Sequence, residues 1–155
     1  MSHVLRGESD PVSGRVRLPA ETGAPLPGLP GLLGIELRSA SADAAEAVLL
    51  VTGNHLAATG YLHAGCVVTL ADTVCGYGCL AALPSRAAGF TTIELTSNHL
   101  SSAAAGHQLR AVATPLHLGR TTQVWDAKVT ASSPGAEPKL ISVFRCTQLI
   151  LSQAP

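Results

Sequence analysis

The stretch from Gly60 to Leu83, GYLHAGCVVTLADTVCGYGCLAAL, constrains this chain more than any other. From Ala64 onward it reads as one helix, apolar or small on almost every face, and a helix apolar all round is a buried one. Pro84 stops it, because the residue before a proline avoids helical dihedrals. One acid, Asp72, stands near the middle of this helix. Between Asn54 and Ile93 no second carboxylate accompanies it, and the only Lys or Arg is Arg86. A carboxylate in apolar surroundings is costly unless it is paired or hydrogen-bonded. Asp72 is therefore either a structural acid, capping a loop or meeting an arginine across an interface, or a reactive group whose basicity is raised by burial.

The rest of the chain supplies what would enclose such a helix. Residues 1–31 are rich in Gly, Pro and charge and end in LPGLPG, which reads as a leader or arm over the fold rather than a core element. Residues 32–151 form the domain. Leu32–Leu37 is a short helix or the lead into a strand, and Asp43–Thr52 is a strand through its aliphatic end. After the helix come four strand-like runs: Phe90–Leu100, Gly106–Leu118, Arg120–Thr130 and Lys139–Leu151. In the first, Ile93 and Leu95 share one face. In the second, Pro115 argues for an edge or a bulge. In the third, Trp125, Ala127 and Val129 point inward. The short connections predict a four-strand antiparallel meander, so the class is α+β: one long buried helix wrapped by a curved sheet. Small residues at Ala64, Gly65, Ala71, Gly76, Gly78, Ala81 and Ala82 allow close approach of sheet and helix.

Composition removes several function classes. The 155 residues carry a formal net charge of zero and only 13% charged residues. No basic stripe marks a nucleic-acid surface, and two Phe with two Tyr leave few stacking platforms. So little surface charge suggests a face covered by a second copy of the chain. Cys66, Cys75, Cys79 and Cys146 lack metal-ligand spacing. They read as small buried hydrophobes in a reducing compartment, and the expected location is cytoplasmic. Neither a metal nor a resident cofactor is expected. A membrane span is not expected either, since Asp72, Gly76 and Gly78 interrupt the apolar run. No GxSxG elbow is present, and an apolar helix interior disfavours a cysteine nucleophile.

Leu62-His63-Ala64-Gly65, with Asp72-Thr73 following seven positions after Gly65, resembles the HGG…D signature of hot-dog fold thioesterases. The phenylacetate-degradation and Arthrobacter-type 4-hydroxybenzoyl-CoA subfamilies are the most similar. His117-Leu118-Gly119-Arg120-Thr121-Thr122, followed by Trp125-Asp126, resembles the strand–turn–strand of the latter. The likeness runs from about Leu32 to Leu151. Two positions depart from it: the family's middle Gly is Ala64, and the Asn or Gln six residues before the His is Ala57. The resemblance implies an acyl-CoA thioesterase, dimeric or tetrameric, with coenzyme A as part of the substrate. It implies Asp72 as base or nucleophile and Thr92 as a hydroxyl holding water or the substrate carbonyl. Backbone N–H groups of Ala64 and Gly65 would form the oxyanion hole at the positive end of the helix. His63, just before the helix, orients that turn by hydrogen bonding or serves as an acid. Arg120, Thr121 and Thr122 are the candidate CoA contacts, with Ser101 and Ser102 as further ones.

Helix geometry adds a condition. Gly65 and Asp72 lie on one face, roughly 10 Å apart along the axis at ~1.5 Å per residue. One reacting carbon cannot touch both within a single helix, so two antiparallel helices from two subunits are expected to share each site. The alternative function is a non-catalytic acyl-CoA or small-ligand binding domain on the same fold. A hot-dog dehydratase is a third reading; such enzymes pair a His with the acid, and Asp72 has no His in its own helix.

Overall fold

A computed structural model describes residues 23–152. Their elements are α1 (Gly28–Leu32), β1 (Glu36–Ala40), β2 (Ala45–Leu50), a 3-10 turn (Gly53–His55), α2 (Ala64–Ala81), β3 (Ala87–His99), β4 (Gln108–Leu118), β5 (Thr122–Ser132) and β6 (Lys139–Ser152). The strands form one antiparallel sheet in the order β1-β2-β4-β5-β6-β3.

The helix α2 packs against every strand of that sheet. Six strands at ~4.8 Å spacing span about 24 Å, whereas a helix is only about 10 Å wide. A flat sheet could not touch it along all six strands, so the sheet wraps. Ten of the eighteen helical residues are buried, from Cys66 to Cys79. Glycine permits the closest approaches. A Cβ at Gly78 would sit 2.6 Å from Trp125 Cζ3, and one at Gly76 would sit 3.1 Å from Phe90 Cζ. Trp125, Ala127 and Val129 point inward as their alternation predicts. Trp125 keeps its indole N–H satisfied by Gln123 Oε1 at 2.9 Å.

Three expectations are corrected. The last four strands are not a meander in sequence order. β4, β5 and β6 are, but β3 lies beyond β6, pairing Thr92 with Gln148 and His99 with Ser142. Residues 100–107 then cross back past the start of α2, where Leu62 N–H donates to Ala103 O. The second correction concerns the arm. Residues 1–22 lie outside the described residues, but at its end Leu26 is a core residue, 4% exposed. Pro25 bridges Glu36, and Gly23 N–H donates to Leu37 O. The third concerns hydropathy. By length and composition alone α2 is apolar enough to cross a membrane. Its burial within this fold marks it as the core helix of the domain.

Pro115 does mark a bulge. The β4–β5 register shifts between Pro115 and His117, and the β2–β4 pairing ends at Ala113, so the missing N–H of the proline breaks no ladder bond to β2. The four cysteines are buried and free.

Candidate active site

His63 is the N-cap of α2, with extended backbone at φ −67° and ψ 129°. Its ring Nδ1 accepts the Gly65 N–H at 2.9 Å. The loop before it is held by His55, buried, whose Nδ1 accepts Thr52 N–H and whose carbonyl accepts His63 N–H. The helix start is thus fixed from two sides while Ala64 and Gly65 themselves stay exposed. The Gly65 donor is already engaged by His63. Among the described residues the Ala64 N–H takes no protein acceptor, as expected for the first residue of a helix.

Asp72 lies two turns further on, half-buried. Its Oδ1 accepts the Thr92 hydroxyl at 3.0 Å. Thr92 Oγ1 is equally close, 3.0 Å, to Gln148 Oε1, and Gln148 Nε2 lies 3.2 Å from Cys146 Sγ. Burial pushes the Asp72 carboxyl above the usual carboxylate range, and the Thr92 hydrogen bond partly offsets that rise. Asp126 on β5 is the opposite case. Arg145 grips it with two hydrogen bonds, at 2.6 and 2.8 Å, which hold its carboxyl below the usual range. A carboxylate so paired has little basicity to offer.

Beside Asp72 a cavity of about 430 Å³ opens, lined by Thr73, Gly76, Tyr77, Leu80, Phe90 and Leu151 among others. Its walls are mainly apolar. Gly76 widens it, and Pro30 from the end of the expected arm closes part of one side. The thiols do not compete for the role of nucleophile. Cys75 is raised far above its usual range by Cys146 and by burial, and burial chiefly pushes Cys79 up to about 12. Among the described residues no group of three or more His, Cys, Asp and Glu could hold a metal ion.

The remaining candidates separate into two places. Arg120 and Thr121 are exposed in the β4–β5 turn, and Thr122 opens β5. That turn lies near the C-terminal end of α2, because Gln123 Nε2 donates to Ala82 O at 3.0 Å. Ser101 and Ser102 lie near the other end, next to Ala103 and its bond from Leu62. Within one chain the structure does not bring these two sets together. It does bring Asp72 and Thr92 together, with Gln148 behind them. Gln148 and Gln123 escaped the sequence reading, although both fall on the inward phase of their strands, in step with Cys146 and Trp125.

Comparison with known proteins agrees with this architecture. The sequence profile of the Thioesterase superfamily matches residues 59–137. The 1,4-dihydroxy-2-naphthoyl-CoA hydrolase of Listeria monocytogenes is 35% identical over 120 residues, 77% of this chain and 93% of the relative. The Escherichia coli protein of the same name is 34% identical over 102 residues, 64% of this chain and 71% of the relative. A mutant thioesterase from Pseudomonas aeruginosa superposes with a TM-score of 0.71 at 28% identity, covering 82% of this chain and 88% of that one. A thioesterase from Haemophilus influenzae gives 0.70 at 29% identity, with 81% and 84% covered. The fold is the hot-dog fold, and the chain belongs to the thioesterase superfamily. It is a thioester hydrolase.

Proposed function

We propose that this enzyme hydrolyses CoA thioesters, with Asp72 of one subunit and the helix start of another meeting at each site. The observation that carries this reading is a carboxylate raised by burial, tied among the described residues only to a hydroxyl, at the edge of an apolar cavity. The two hydrolases of a naphthoyl-CoA among its relatives support CoA as the leaving group and an aromatic acyl group for the cavity.

In this reading the acyl group enters the cavity beside Gly76 and Phe90. The Ala64 N–H donates to the thioester oxygen, where negative charge develops. Asp72 then either takes a proton from the attacking water or attacks to give an anhydride that water opens. Coenzyme A leaves as the thiol. Ala64 and Asp72 are eight residues apart, about 12 Å along one helix, so the two groups must come from facing helices. An antiparallel pair of α2 helices would also bring the Arg120 turn of one subunit beside Ser101 and Ser102 of the other, placing both sets at one CoA rim. The half-buried stripe Val68, Thr69, Asp72 and Thr73 is the face left for such a partner. No cofactor is needed for this chemistry. Four buried free cysteines suit a cytoplasmic enzyme.

The test is thiol release from a panel of aryl- and alkyl-CoA thioesters. The wild type should turn over at least one aryl-CoA, and Asp72→Asn should lower kcat by a factor of roughly 10² to 10⁴ while the fold is kept. Tight binding of the panel without thiol release would instead mark a binding domain, and wild-type turnover by the Asn variant would remove Asp72 from the mechanism.

A further inference from the structure

The Thr92 hydroxyl has one proton and two acceptors drawn around it, Asp72 Oδ1 and Gln148 Oε1, each at 3.0 Å. A hydroxyl donates once and accepts through its lone pairs. If the proton goes to Asp72, the Thr92 and Gln148 oxygens face each other lone pair to lone pair. If it goes to Gln148, an ionised Asp72 faces the Thr92 lone pair in the same way. Rotating the Gln148 amide by half a turn exchanges its oxygen and nitrogen and removes the conflict. Gln148 Nε2 then donates to Thr92 Oγ1, Thr92 donates to Asp72, and Gln148 Oε1 faces the Cys146 thiol, itself a donor. The Gln148 amide oxygen and nitrogen and the Thr92 hydroxyl then each have a partner, as a fully buried glutamine requires.

We propose that Gln148 is a positioning residue of this site: its buried amide turns its N–H toward Thr92 and so reserves the Thr92 proton for the Asp72 carboxylate. A neutral Asp72 can be served with the amide either way, since it can itself donate to Thr92. The ionised form is served only one way. An N–H donated to Thr92 also polarises its O–H toward Asp72, and that strengthening is worth more to a carboxylate than to a neutral carboxyl, so Gln148 favours the ionised form through Thr92 without touching substrate. The proposal rests on the reading of Asp72 as the reacting carboxylate for its meaning in catalysis, though not for its structural content. Among the described residues, Tyr77 lines the same cavity as Asp72, and Cys75 of the same helix feels Asp72 together with Cys146 of β6 and Asp126 of β5. Cys75 and Tyr77 are both raised above their usual values and stay neutral where Asp72 titrates. The ion pairs among the described residues lie elsewhere.

The experiment is a carboxyl-carbon NMR titration of Asp72 in wild type, Gln148→Met, Thr92→Val and the double variant, beside a kcat–pH profile of each. Methionine keeps the length and apolar bulk but can neither donate nor accept strongly. Gln148→Met should move the Asp72 midpoint up by about a few tenths of a pH unit, the scale of lost cooperative strengthening of a Thr92 hydrogen bond that itself remains. In the Thr92→Val background the same substitution should move it far less, because the link is gone. A merely structural glutamine would show no such dependence on Thr92. An unmoved or lowered midpoint, or an equal shift in both backgrounds, overturns the proposal. Should the variant not fold, the wild type decides: above the Asp72 midpoint, Gln148 amide protons should show nuclear Overhauser contacts to Thr92, and contacts to the Cys146 β-protons alone would overturn it. A midpoint that moves while the kcat profile stays put leaves Gln148 in its role and removes Asp72 from catalysis. A wild-type kcat profile that tracks Asp72 while Gln148→Met moves neither does the reverse.

Discussion

The two halves of α2 are held in opposite ways. The first turn is exposed and is fixed by hydrogen bonds: His63 accepts from Gly65, and His55 ties down the approach. The half beyond Asp72 is buried and is fixed by shape, with Gly76 against Phe90 and Gly78 against Trp125. An exposed helix start keeps a free N–H able to meet a ligand. A packed half keeps water away from a carboxylate and raises its basicity. Neither half has both properties, and that division is the physical reason for proposing a site assembled from two copies.

The comparison can be broken at either half. The larger effect is expected in the packed one. Gly78→Ala forces a Cβ to within 2.6 Å of the Trp125 ring, and the overpacking should cost about 1–3 kcal/mol, read as a lower denaturant midpoint with an unchanged slope. The smaller effect belongs to the capped half. His63→Ala removes the acceptor of Gly65 N–H, leaves that donor to water, and should cost about 1 kcal/mol by the worth of ordinary caps, a fall of about 2–4 °C in Tm for a chain of this size. If His63→Ala were the costlier of the two, the helix start would be held by more than its cap.

The same contrast explains what could be read from the sequence. The limits of α2 were legible because its signals are local: a polar His before an apolar run, and Pro84 after it. The inward phase of Trp125, Ala127 and Val129 and the bulge at Pro115 were local too. Strand order was not. Alternation puts Ile93 and Leu95 of β3 on one face, yet that face is exposed, and it does not say whether the neighbour of β3 is β4 or β6. Leu26 was hidden in a Pro/Gly string without periodicity. Asp72 and Thr92 were nominated from the motif and the strand that follows it. Gln148 was passed over because an apolar alternation reads straight through a polar residue, although its inward phase alone demands a partner. The engagement of Gly65 N–H by His63 depends on a side-chain rotamer, which spacing does not encode.

The shared site admits one direct measurement. Asp72→Asn and Ala64→Pro would be made in separate chains. Proline at Ala64 removes the proposed donor N–H at the first helical position, where the helix tolerates it, and the extended His63 before it suits a following proline. A mixed dimer would carry one site with both lesions and one with neither. With both variants folded and subunit exchange verified, random mixing makes about half the dimers mixed. Thiol release should then recover to roughly a quarter of wild type, far above either variant alone, because transition-state stabilisation needs both groups in one site. Verified mixed dimers that stay as inactive as their parents would contradict the account, placing both groups of each site on a single chain.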